Sequence, residues 1–385
     1  MTRLQADWLA DPAAQAVCAM LENAGHVAYF VGGCVRNALI GAPVQDLDLS
    51  TDARPEAVME LAEAAGLKVV PTGIDHGTVT VVADGRPFEI TTFRRDVATD
   101  GRRATVAFAD SLEADAQRRD FTMNALYADA SGVVQDPLGG LPDLDAGRVR
   151  FIDDPAQRIR EDYLRILRFF RFHAWFGDAG AGLDAEGLAA CAEHAEGIEG
   201  LSKERIGHEM LRLLAAPDPA PAVAAMAQTG VLIRVIAGAE PSVLPVLVHL
   251  EQEAGLDPDP VLRLASLGGE EVARALRLRK ADARRRDRLR AAALKGGGAA
   301  ELGYRLGAKE GTAALLLRQA ALGQPLDDST LIRLKAGAEQ VFPITATDLQ
   351  PGLEGPALGA ALRRLEANWI ASEFTLSRAD LLKSL

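Results

Sequence analysis

Apolar positions fall into two regimes along the chain. Before position 150, short β-like runs alternate with short helical ones. "HVAYFV" (26–31) reads as a strand and "GCVRNALI" (33–40) as a helix. "DLDLS" (46–50) alternates as a strand does, and "PEAVMELAEAAG" (55–66) predicts a helix closed by Gly66. "GTVTVVA" (77–83) and "PFEITTF" (87–93) are β-rich, and the intervening "DGR" predicts a hairpin. After 150 the β-branched runs give way to long Ala/Leu/Arg segments such as "QRIREDYLRILRFFRFHAWF" and "KERIGHEMLRLLAA". The pattern predicts an α+β fold, with a small α/β head (1–150) of mixed sheet and helices followed by an all-helical remainder. "KGGGAAELG" (295–303) reads as the most flexible joint.

Two carboxylates interrupt one of the predicted strands. Residues i and i+2 share a face, so Asp46 and Asp48 point one way while Leu47 and Leu49 go to the core. Like charges this close repel unless a cation sits between them. A lone DxD is usually a solvent-facing edge. Here Glu89 adds a third acid, on the face of "FEITTF" opposite Phe88 and Ile90. Such a trio suits one or two Mg²⁺ ions, which take oxygen ligands and phosphate partners. Gly32 and Gly33, between a strand and a helix, let backbone approach an anion, and Arg36 lies one helical turn further on. In that order the groups describe a triphosphate held against metals.

Composition bounds the setting. The 385 residues allow two or more domains, and 48% hydrophobic with 25% charged is ordinary for a soluble chain. Cys18, Cys34 and Cys191 lack metal-like spacing, which predicts a reducing cytoplasmic location. The first residues read as neither signal peptide nor membrane span. The six histidines show no HxxxH or HD spacing, so zinc is not indicated, and only His76 falls near the expected site. The net charge of −12 argues against broad nucleic-acid coating, so an RNA surface has to be local. The stretch 274–290, with nine basic residues and two acids, is the candidate.

"GGCVRNALIG…QDLDLST", "HGTVTVV", "FEITTFR", "RRDFTMNAL" and "EDYLRILRFFRF" together resemble the bacterial class II tRNA nucleotidyltransferases and their poly(A) polymerase relatives. The C-terminal "FPITATDLQPGLEGPALGAALRRLE" is similar to the tail of CCA-adding enzymes. The resemblance implies a nucleotidyltransferase head (1–150), a helical neck with base-recognition and RNA-binding motifs (151–240), and a tRNA-binding helical body and tail (241–385). It implies addition of the 3′-terminal CCA to tRNA from CTP and ATP, without a template. Poly(A) synthesis, CC-only or A-only addition, and a non-catalytic RNA-binding descendant remain alternatives. By the same resemblance Asp46, Asp48 and Glu89 are the catalytic, metal-binding carboxylates. Gly32, Gly33 and Arg36 hold nucleotide phosphates, and Arg118, Arg119, Asp120 and Asn124 hold ribose and phosphates. Asp162 and Arg165 read the base, with Arg168 and Arg171 continuing that motif. The implied cofactor is Mg²⁺, and the implied partners are the 3′ end and upper arm of tRNA, with neither DNA nor a membrane. One departure is Asn37, where the family usually has Asp.

The base-reading assignment also has a physical basis. Placed three apart on one helix, Asp162 and Arg165 would be neighbours. One group only accepts and the other only donates, so the pair matches the edges of cytosine and adenine and leaves groups unpaired on uracil. Arg165, Arg168 and Arg171 form a basic stripe without intervening acids through Phe176. The segment 97–111, with Asp100, Gly101, Arg102 and Arg103, reads as a mobile loop that repositions the pair between C and A addition.

Overall fold

The computed structural model describes residues 2–100, 103–350 and 352–385. The chain divides into two units, Met1–Val235 and Ile236–Leu385.

The first unit is built on a mixed sheet. Its strands are β1 (Tyr29–Val31), β2 (Asp48–Thr51), β3 (Lys68–Gly73), β4 (Thr78–Ala83) and β5 (Arg86–Thr92). The ribbon β6 (Arg94–Asp100) and β7 (Arg103–Phe108) follows, and then the short β8 (Tyr127–Ala128) and β9 (Val134–Gln135). The main sheet runs β3-β4-β5-β2-β1-β8-β9, and β2–β5 is its parallel pair. The other neighbours are antiparallel, including the hairpin expected of β4 and β5. Alternation sorts the faces as the sequence suggests: Phe88 and Ile90 are buried while Glu89 is exposed. Leu49 is fully buried, but Leu47 precedes β2 and is only half-buried.

Two expectations change here. The segment 97–111 is no open loop, because β6 and β7 pair from Arg94↔Phe108 to Asp100↔Arg103. Gly101 and Arg102 lie outside the described residues. The alternating "VAT" and "ATVAF" runs supply the period-two pattern on which such a ribbon forms. The long helix expected from "QRIREDYLRILRFFRFHAWF" is two, Pro155–Glu161 and Leu164–Phe176. Asp162 between them is extended (φ −153°, ψ 106°), and its Oδ1 accepts from Leu164 N at 3.1 Å. A side chain that bonds its own backbone two residues on competes with the helix and breaks it.

Aromatic packing ties the sheet to the helices that follow it. Phe121 lies 5.0 Å, centroid to centroid, from both Phe151 and Phe172, and Phe151 stacks on Phe169 at 5.4 Å.

The second unit is helical. One core gathers Leu247, Leu250, Leu262, Leu289, Leu316 and Leu334. Another gathers Leu349, Leu365, Trp369 and Leu381. The helices Ala299–Leu322 and Asp328–Ala338 cross at reciprocal glycines. A Cβ on Gly303 would fall 1.9 Å from Leu334 O, and one on Gly337 would fall 2.0 Å from Ala300 O. Only glycine permits that approach. The glycine-rich joint near 295 is stapled rather than loose. Arg318 donates to the carbonyls of Ala292, Ala293, Gly296 and Gly297, capping the helix that ends at Leu294. Among the described residues no helix is long and apolar enough to cross a membrane.

Candidate active site

Asp48 opens β2, and its Cα is in register with that of Glu89 on the parallel strand β5. The two carboxylates therefore sit on adjacent strands of one sheet face, about 4.8 Å apart at the backbone. Asp46 is exposed and lies two residues before the strand, so the pair of aspartates is not strictly a one-strand feature. Burial, then the charges of Glu89 and Asp46, push the Asp48 carboxyl up to about 6. A cation would relieve that strain. Among the described residues no three carboxylate, imidazole or thiol side chains form a closed metal cage. The donor set nevertheless fits Mg²⁺, which uses one or two carboxylates and completes its shell with water and phosphate. His76 is exposed, and its carbonyl accepts from Arg94 Nη1.

Beside these carboxylates lies a brace that the sequence reading missed. Fully buried Asp115 accepts from Arg118 Nε at 3.1 Å, Arg119 Nη2 at 3.0 Å and the Tyr127 hydroxyl at 2.9 Å. Burial alone would raise the Asp115 carboxyl, but Arg119 and Arg118 hold it below its ordinary value. Arg119 Nη2 also reaches the Ser50 hydroxyl at 3.4 Å, which ties the brace to β2. The carbonyls of Arg118 and Arg119 accept in turn from Arg165 Nη2 (3.2 Å) and Arg158 Nη2 (2.6 Å).

Gly32 (φ 70°) and Gly33 turn β1 into the Gly33–Leu39 helix. A Cβ on Gly32 would stand 3.3 Å from Arg119 Nη1, and one on Gly33 would meet only Arg36 Nη2, at 3.9 Å. Two guanidiniums thus flank the glycine turn. Arg36 is buried and stacks on Phe176, 4.0 Å from the ring centre. It donates to Asn124 Oδ1 and, at 3.2 and 2.8 Å, to Asn37 Oδ1. Asn124 Nδ2 donates to Asp120 Oδ1 at 2.9 Å, and Asp120 Oδ2 accepts from Arg168 Nε at 2.6 Å. Burial would raise the Asp120 carboxyl, but Arg168 and Asn124 hold it well below the carboxylate range. A neutral amide therefore spaces two arginines around one buried carboxylate.

The base-reading pair is not a pair in this structure. Because Asp162 sits in the break between helices, its Oδ2 turns to Arg205 Nη2 at 2.6 Å. Arg165 Nη1 turns to Glu161 Oε2 at 2.5 Å and to the Arg158 carbonyl at 2.8 Å. The expected bare basic stripe is also neutralised by acids from other elements. Glu161 serves Arg165, Asp120 serves Arg168, and Glu209 accepts from Arg171 Nε at 2.6 Å. Arg205 and Glu209 are an i,i+4 set on the Lys203–Leu214 helix, and that spacing was the available signal.

The basic stretch of the second unit is partly structural too. Arg285 makes a bidentate pair with Asp259 at 2.8 and 2.6 Å and also donates to Glu310. Arg286 is buried and reaches the Gly268 carbonyl, and Arg290 reaches the Ala265 carbonyl at 2.6 Å. Arg284 and Arg288 remain exposed.

Residues 28–150 match the Poly A polymerase head domain, and residues 182–241 match the family described as "Probable RNA and SrmB- binding site of polymerase A". The chain is 43% identical to the human mitochondrial CCA tRNA nucleotidyltransferase 1 over 190 residues, 49% of this chain and 44% of that protein. It is 43% identical to the CCA-adding enzyme of Streptococcus gordonii over 199 residues, 51% and 48% of the two chains. Its fold superposes on the Bacillus stearothermophilus CCA-adding enzyme, solved in complex with CTP, with a TM-score of 0.77. That match has 28% identity and covers 94% of each chain. The chain is thus similar to poly(A) polymerase head domains over residues 28–150 and to a CCA-adding enzyme in fold over nearly its whole length. It spans about half the length of the curated relatives it matches. The matched head domain coincides with the region that holds the Asp48–Glu89 register, the glycine turn and the Asp115 brace.

Proposed function

We propose that this protein adds the 3′-terminal CCA to tRNA from CTP and ATP, without a template and in the cytoplasm. The observation that carries the reading is the in-register Asp48–Glu89 pair, backed by the Asp115 brace and flanked by a glycine turn with two guanidiniums. The likeness to a CTP-bound CCA-adding enzyme over 94% of the chain supports the same reading.

In the reaction the tRNA 3′-oxygen attacks the α-phosphorus of the nucleotide, and the α–β bridging oxygen leaves with pyrophosphate. Bound by Asp48 and Glu89 together with Asp46, Mg²⁺ would assist loss of the hydroxyl proton and neutralise the developing charge. Gly32 and Gly33 admit the phosphates close to the backbone. Arg36 and Arg119 stand beside that turn to receive negative charge, and Arg118, Asp120 and Asn124 fix their surroundings. Asp162 and Arg165 select the base. For Arg165 this requires a turn away from Glu161 toward the incoming nucleotide. Each Asp162 oxygen already accepts one hydrogen bond and keeps a further lone pair for a base amino group.

The test is incubation with tRNA ending before CCA, supplied with CTP, ATP or both, and sizing of the products. Growth by C, C and A with both nucleotides supports the proposal. Long A tracts would assign the poly(A) alternative, and arrest after CC would assign partial addition.

A further inference from the structure

Arg36 is the buried arginine of this site that makes no ion pair among the described residues. Arg119 has Asp115, Arg168 has Asp120 and Arg171 has Glu209. Arg36 has only neutral partners, Asn37 and Asn124, and the faces of Phe176 and Phe172. Only 7% of its surface is exposed, yet its Nη2 borders the open space beside Gly33. The carboxylate whose charge offsets it, Asp120, is already bonded to Arg168, and Arg171 and Arg168 add positive charge. Burial, with those two arginines, brings its guanidinium down to about 10. A buried cation without a carboxylate partner costs stability until an anion arrives.

We infer that the neutrality of Asn37 sets the affinity of the glycine turn for polyphosphate, because a partner without charge leaves that of Arg36 for the ligand. The inference rests on the proposed nucleotide site and adds a determinant on this chain. Asn37 Oδ1 accepts from both Arg36 Nε and Nη2, while Asn37 Nδ2 donates to the Pro43 carbonyl at 2.8 Å, so the amide orientation is held at both ends. A carboxylate at position 37 would accept the same two hydrogen bonds but would neutralise Arg36 before any ligand bound. Phosphate oxygens would then compete with a resident anion.

The experiment measures binding of inorganic tripolyphosphate to the full chain by calorimetry, for wild type, Asn37→Asp and Asn37→Ala. Asn37→Asp weakens binding by about tenfold, the scale of one charge-assisted contact. Asn37→Ala stays within about threefold of wild type, because Arg36 keeps its charge. Equal affinity in Asn37→Asp and wild type overturns the inference, as does a loss in Asn37→Ala as large as in Asn37→Asp. If Asn37→Asp does not fold, a greater than fivefold loss in Asn37→Ala is enough to overturn it. A parallel titration with an RNA minihelix separates the sources of phosphate. The inference expects RNA affinity unchanged, and a drop confined to RNA overturns it. Tripolyphosphate is not consumed, so failure of the proposed transfer reaction would appear separately, as absent products with binding intact.

Discussion

The Asp162 carboxylate accepts a 2.6 Å hydrogen bond from Arg205, a residue of the Lys203–Leu214 helix, rather than from Arg165. This contact and the Leu164 amide fix both carboxylate oxygens, so under the proposed function base selection would depend on a residue that need not touch the nucleotide. Asp162→Ala should relax the ratio of CTP and ATP use to UTP and GTP use more than it weakens triphosphate binding. Arg205→Ala should shift the ratio in the same direction by less, and the double variant should match Asp162→Ala alone. An unchanged ratio in Asp162→Ala would leave the residue a purely structural role.

Asp46→Ala or Asp48→Ala should abolish nucleotide transfer while tRNA binding, measured by filter retention, persists. Glu89→Gln should be impaired less, since a water can fill part of an exposed ligand's role. Turnover at the wild-type rate in either aspartate variant, with Mg²⁺ as sole metal, rules out the metal assignment.

The raised Asp48 carboxyl predicts how metal and pH combine. Below about pH 4 the group is protonated in both folded and unfolded chains. As pH rises toward about 6 the unfolded chain ionises while the folded one resists, so this group increasingly opposes folding. Mg²⁺ should therefore raise the Tm more at pH 7 than at pH 5. Asp48→Asn should flatten that difference, and a Mg²⁺ increment independent of pH would contradict it.

The ribbon β6–β7 leaves β5 through Phe93 and returns at Phe108, whose ring lies under the Arg54 guanidinium at 4.6 Å. Deleting residues 99–104 should leave C addition nearly normal and stall products at CC. Addition of the terminal A at the wild-type rate would exclude the ribbon as the switch. Equal loss of C and A addition would point to folding instead.

The basic helix should separate into two classes of arginine. Arg285→Ala removes the partner of Asp259 and Glu310 and should cost about 2 kcal/mol in urea denaturation. Arg284→Glu, at an exposed position, should leave the unfolding midpoint unchanged and weaken tRNA binding, with a shallower salt dependence. Equal tRNA affinity in Arg284→Glu and wild type would remove this face from the RNA surface.

Periodicity alone determined much of this protein. Alternation at Phe88–Ile90 and the "DGR" turn were enough to place β4, β5 and the exposed Glu89, because a half-buried strand imposes its own pattern. The helical character beyond 150 was equally legible. The register was not. That Asp48 stands opposite Glu89 follows from β2 and β5 lying side by side in parallel, a pairing made between segments about forty residues apart. Nor could local reading find partners for buried charge. Asp120 for Arg168, Glu209 for Arg171 and Arg205 for Asp162 are each brought together only when desolvation forces a charge to seek its complement across the fold. The helix break at Asp162 shows the two levels in competition. The apolar spacing ran on through it, but a carboxylate able to cap Leu164 and meet Arg205 was better satisfied outside the helix than within it.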